Sequence, residues 1–87
     1  MKLTPKQTAT LTFTHVTSGK PASLFIAMNP LTGDWLQTHR HGDAETSYYG
    51  TKADAVRLAD KIIEVSKKKK LTCTVKIGKN SMACNLP

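Results

Sequence analysis

The spacing of apolar positions changes period twice along the chain, and each change marks an element boundary. From Gln7 to Ser18 the chain reads QTATLTFTHVTS, with Thr8, Thr10, Thr12 and Thr14 alternating with Ala9, Leu11, Phe13 and His15. A period of two belongs to a half-buried β-strand, here with a threonine face and an apolar face. Ser18-Gly19-Lys20-Pro21 punctuates it as a turn. Ser23–Met28 is a second strand, apolar on both faces near its middle. Asn29-Pro30-Leu31-Thr32-Gly33-Asp34 is rich in turn formers and ends it. Trp35–His41 is a third strand of mixed polarity, Gly42-Asp43-Ala44-Glu45 turns again, and Thr46–Tyr49 is a short fourth strand.

After Gly50 the period becomes helical. Thr51 is a good N-cap, and Asp54 three residues on gives a weak form of the capping box. On a helical projection Ala55, Val56, Leu58, Ala59, Ile62, Ile63 and Val65 fill about half the circumference. Asp54, Arg57, Asp60, Lys61, Glu64, Lys67 and Lys68 fill the other half, and Glu64 with Lys68 makes a favourable pair one turn apart. Alternation then returns at Leu71, Cys73, Val75 and Ile77, and again at Met82, Cys84 and Leu86. Folding the chain about Gly78-Lys79 sets 77 opposite 80, 75 opposite 82, 73 opposite 84 and 71 opposite 86. This register predicts a C-terminal hairpin. The expected fold class is α+β: an antiparallel β-sheet with one amphipathic α-helix packed on one face, in the order βββ(β)αββ. It forms one domain over residues 1–87, with residues 1–7 as a disordered N-terminus, and leaves the second sheet face to solvent or a partner.

Size sharpens this picture. A chain of 87 residues makes one domain with a small core, burying only roughly 60–65% of its unfolded surface. There is no apolar run of the ~18 residues that a membrane span needs, and no apolar stretch follows Met1–Lys6 as in a signal peptide. A cytoplasmic location is expected, in the host cytoplasm if the protein is phage-encoded. Charge is uneven: the chain carries +7, of which residues 61–87 contribute seven basic groups against Glu64 alone. Lys61, Lys67, Lys68, Lys69, Lys70, Lys76 and Lys79 thus form a candidate patch for a polyanion, and nucleic acid is the commonest one. The competing reading is a solvated helix end whose lysines suit the negative end of the helix dipole.

Catalytic patterns are sparse. Cys73 across from Cys84 can close a disulfide in an oxidising compartment; in the cytoplasm the pair packs as free thiols. Their spacing to the histidines does not match a zinc site. In His39-Arg40-His41 only the two histidines share a strand face, which suits a polar strand end better than a metal or catalytic cluster. His15 continues the Leu11–Phe13 face as a core-edge histidine. Neither a phosphate-binding glycine loop nor a dinucleotide fingerprint is present, and six acids leave little for acid–base work. The chain reads as a non-enzyme with no cofactor, no metal, no membrane partner and no small-molecule substrate. Recognition falls to the open sheet face, which carries the threonines and, depending on the third strand's register, Trp35, Gln37, His39 and His41. Trp35 is either a stacking platform or core.

Gly33-Asp34-Trp35, followed by Tyr48-Tyr49-Gly50-Thr51-Lys52-Ala53-Asp54-Ala55, resembles the three-stranded-sheet-plus-helix domains of plant Apetala-type transcription factors and the arm-binding modules of phage-type integrases. In both, a G-x-W strand precedes an aromatic-x-Thr-x-x-acid-Ala helix start. The resemblance covers roughly residues 22–66 and implies an open sheet face lying in the DNA major groove. Those families carry several arginines on the sheet, whereas here only Arg40 qualifies. In size and polarised surface the chain also resembles small phage-encoded accessory proteins, anti-CRISPR proteins among them. The expected function is a small basic nucleic-acid-binding domain, DNA or RNA, using the lysines with Arg40, Trp35 and His39. The alternative is a phage-type inhibitor that binds an acidic or nucleic-acid-handling protein complex.

Overall fold

In the computed structural model, which describes residues 1–84 and the side chains of residues 1–82, the alternating segments join one sheet. Strands β1 (Gln7–Thr14), β2 (Pro21–Met28), β3 (Trp35–His41) and β4 (Ala44–Gly50) form a meander. Helix α1 (Lys52–Lys69) crosses one face, and β5 (Cys73–Lys79) returns beside β1. The order across the sheet is β4-β3-β2-β1-β5, with every neighbour antiparallel. The α+β architecture read from the sequence is the one adopted, and its fourth strand is a full edge strand.

Register sorts the side chains. Leu11 lies opposite Leu24, and Leu24 opposite His39; Ala9 lies opposite Ile26, and Ile26 opposite Gln37. These residues face α1, where Leu11, Leu24 and Ile26 are fully buried with Ala55 and Ala59 of the helix. Each large aliphatic contributes about 1.5–3 kcal/mol through burial. The alternate positions, Thr8, Thr10, Thr12 and Thr14 with Phe25, Thr38, Arg40, Tyr49 and Lys76, form the uncovered face. The threonine face is therefore open as expected. Trp35, Gln37, His39 and His41 are not on it: pairing with Met28, Ile26, Leu24 and Ala22 turns all four to the helix side.

Helix α1 starts where the sequence places it, with Thr51 Oγ1 accepting from Asp54 N–H at 3.1 Å. It ends in a Schellman motif: Lys70 N–H bonds to Lys67 C=O and Leu71 N–H to Ser66 C=O. Lys70 takes the left-handed conformation, φ 57°, that this motif requires.

Two expectations are corrected. The C-terminal hairpin does not form over the described residues: Ser81–Cys84 is a short helical turn, α2, and β5 pairs with β1 instead. Residues 85 and 86 of that expected strand lie outside the described residues. Cys73 consequently faces Phe13, not Cys84, and is a free thiol. Alternation alone fixes a strand but not its neighbour, and β1 offered a longer apolar edge. The N-terminal segment is also ordered. Leu3 is 2% exposed within the core, and the Met1 ammonium bonds to Asp60 Oδ1 at 2.8 Å.

Candidate functional site

Antiparallel topology divides the sheet into two ends. β1 and β3 finish, β2, β4 and β5 begin, and α1 terminates at one of them, here the lysine end. The opposite, tryptophan end holds Trp35, Gly50, the start of α1 and the N-terminal segment.

The lysine end gathers much of the predicted set. Lys67, Lys68, Lys69 and Lys70 are all exposed there, and Lys68 pairs loosely with Glu64 at 3.7 Å. Lys20 belongs to the β1–β2 turn, against Gly42 of the β3–β4 turn, and Gly42 N–H bonds to Pro21 C=O. Arg40, the penultimate residue of β3, is on the open face, where it is held by Glu45; that hydrogen bond and the carboxylate charge raise its already high pKa. Three predicted residues lie elsewhere. Lys76 sits mid-strand on the open face, and Lys79 closes β5 at the other end, about 20 Å along the strand from Cys73. Trp35 is 4% exposed and packs in the core with the Lys52 ammonium 5.9 Å from its ring centre. It has no free face for stacking on a base, because the third strand's register points it at the helix.

All three histidines meet on the helix side of the lysine end. His15 stacks on His41, ring centres 4.1 Å apart, and His41 Nε2 lies 2.6 Å from Ser18 Oγ. His15 Nδ1 accepts from the N–H groups of Thr17 and Ser18 at 3.3 and 3.4 Å, so the neutral ring carries its proton on Nε2. His39 stacks on Tyr48, and burial pushes its pKa below the usual imidazole value. Its Nε2 and the Nε2 of Gln37, one pleat along, are buried without hydrogen-bond partners; the Tyr48 hydroxyl reaches only Gln37 Oε1, at 2.9 Å. Among the described residues, no three His, Cys, Asp or Glu side chains gather as a metal site.

A groove of about 290 Å³ opens between the second half of α1 and the end of β1. Leu58, Ile62 and Val65 of α1 are only half-buried, so their apolar surface is left along the groove, although Ala59 and Ser66 beside them are buried. Phe13, Leu58, Ile62, Val65 and Leu71 line it, with Lys61, His15 and His39 as its nitrogen-bearing members. Two predicted residues, Lys61 and His39, are thus brought together across helix and sheet. The groove itself was not foreseen; its one sequence signal was His15 continuing an apolar strand face to the strand's end. No protein-family model, curated protein or solved structure matches the chain.

Proposed function

We propose that the protein binds nucleic acid through its lysine end, by phosphate contacts that do not depend on base sequence. Lys67–Lys70 are the principal groups, with Lys61 on the same helix and Lys20 of the β1–β2 turn at the same end of the sheet as further candidates. The conformation of Lys70 carries this reading. Lysines at a helix C-terminus gain about 0.3–1 kcal/mol from the dipole, which accounts for Lys67, Lys68 and Lys69 without any ligand. It does not account for Lys70, whose φ of 57° is a glycine position that costs an L-residue about 1–2 kcal/mol. A charge kept where glycine is the stabilising choice has the character of a functional residue.

Each ammonium that meets a phosphate releases a condensed counterion, so affinity falls linearly with salt on a log–log scale, by about 0.9 per contact on duplex DNA. Hydroxyls dominate the open sheet face, and its only guanidinium is engaged by Glu45. Strong base discrimination, which relies on bidentate donors, is therefore not expected. The test is anisotropy titration of labelled duplex DNA, single-stranded DNA and RNA across a salt series. Replacing Lys67–Lys70 together by Gln should lower the slope magnitude by about 3–4 and weaken binding in proportion. Unchanged binding by that variant sinks the proposal. A lysine-dependent protein partner that survives nuclease digestion, with no shift of free nucleic acid, would favour the inhibitor reading instead.

A further inference from the structure

We propose that the groove between α1 and the end of β1 binds a small amphipathic anion: a carboxylate carrying a single short hydrocarbon chain. The site is independent of the nucleic-acid reading and goes beyond the sequence expectation of no small-molecule substrate. The body of such a ligand matches the apolar lining, chiefly Phe13, Leu58, Ile62, Val65 and Leu71. A volume of about 290 Å³ is near the lower bound for ligand pockets, which suits a short chain.

The head group follows from the sign of the polar groups. Lys61 lines the groove and forms no ion pair among the described residues. His15 also lines it, and its ring offers Nε2–H because Nδ1 is occupied by two backbone donors. No Asp or Glu is part of the described lining. An ammonium and an N–H beside apolar walls call for an acceptor with negative charge. A cationic amphiphile of the same length would meet Lys61 as a like charge.

The experiment titrates sodium octanoate, 1-octanol and octylammonium chloride into the isotope-labelled chain and follows amide chemical shifts. Octanoate should give saturable shifts at Phe13–Val16, at Leu58–Ile62 and at Leu71, with octylammonium binding at least about tenfold more weakly. Lys61→Met, a change at an exposed position that leaves the core intact, should weaken octanoate about tenfold and leave octanol unaffected. Four outcomes overturn the proposal: no saturable octanoate shifts, equal binding of octanoate and octylammonium, full octanoate affinity in Lys61→Met, or shifts confined to Lys67–Lys70. The last would mark anion attraction by the helix end, which bears on the nucleic-acid proposal and not on the groove. Conversely, the Lys67–Lys70 replacement leaves the groove lining untouched and should retain octanoate binding, so the two proposals fail separately.

Discussion

The tryptophan end of the sheet is tied by Asn80, a buried residue whose side chain is fully hydrogen-bonded, whereas the lysine end has no such clasp among the described residues; between them Gln37 Nε2 is buried without a partner. Asn80 is 1% exposed, its Nδ2 donates to Pro5 C=O at 3.1 Å and Met28 C=O at 2.9 Å, and its Oδ1 accepts from Met82 N–H at 3.0 Å. Its backbone N–H bonds to Lys6 C=O, so one residue ties the N-terminal segment, β2 and the chain after β5 together. Leu3 and Trp35 close the same end with apolar surface. At the lysine end, His39 Nε2 is buried and unpaired, the helix half-buries its apolar residues, and Lys70 holds a left-handed backbone. One end is tied by the Asn80 clasp, and the other retains half-buried apolar surface along the groove, a buried unpaired ring nitrogen and local strain, the features from which binding sites are drawn.

The sharpest way to test that contrast is to remove equal side chains from both regions. Ile26 is fully buried beside Ala9 and Gln37, so Ile26→Ala should cost about 2–5 kcal/mol through lost transfer energy and a closed cavity. That is a large share of the ~5–15 kcal/mol that holds a domain together. Leu58 already borders open space, and Leu58→Ala should cost about 1 kcal/mol, since little enclosed cavity results. Urea denaturation midpoints give both values. Equal losses would mean that the groove is closed in solution and the two ends are alike.

A smaller effect is expected at the polar clasp. Asn80→Ala leaves the carbonyls of Pro5 and Met28 without their donor, which should cost about 2 kcal/mol. In this variant, hydrogen exchange should speed up at the amides of Gln7 and of position 80 before it does at the lysine end. If the protection lost is instead greatest in the β1–β2 turn, Asn80 is not what secures the tryptophan end.

How far each end could be read in the sequence follows from the range of the interactions that build it. The Thr51 cap, the divided faces of α1, the Glu64–Lys68 pair and the threonine face of β1 depend on neighbours a few residues away, and all were legible. Asn80 was not, because its partners Pro5 and Met28 lie 75 and 52 residues away and its type suggests only a turn. The same distance hid the pairing of β5 with β1. Either alternation partner satisfied the period, and only the assembled sheet decides which edge is free. The groove was hidden for a related reason: a helical projection shows which residues face inward but not how closely each approaches the sheet. The charge run Lys67–Lys70 is visible in the sequence, yet the pairing of β5 with β1, which carries Lys76 and Lys79 away from it, is not.

The smallest predicted effect separates the two ends most cleanly, because it should raise stability while lowering binding. Lys70 sits at the position after the helix where glycine carries no Cβ penalty. Lys70→Gly removes a strain of about 1–2 kcal/mol and returns part of it as extra freedom in the unfolded chain. A net gain of about 0.5–1 kcal/mol is expected, raising the melting temperature by about 2–8 °C in a domain of this size. The backbone bonds from Lys70 and Leu71 to Lys67 and Ser66 are kept, so the remaining lysines stay where they are. Losing one ammonium should lower the magnitude of the log–log salt slope for duplex DNA by about 0.9. A variant that is both more stable and weaker in binding identifies Lys70 as a residue held against the interest of the fold. Should the variant melt higher with no loss of affinity, the left-handed lysine is incidental and the phosphate contacts lie elsewhere. A variant that melts lower would place Lys70 on the side of the fold, as a packing or capping residue like Asn80 at the opposite end.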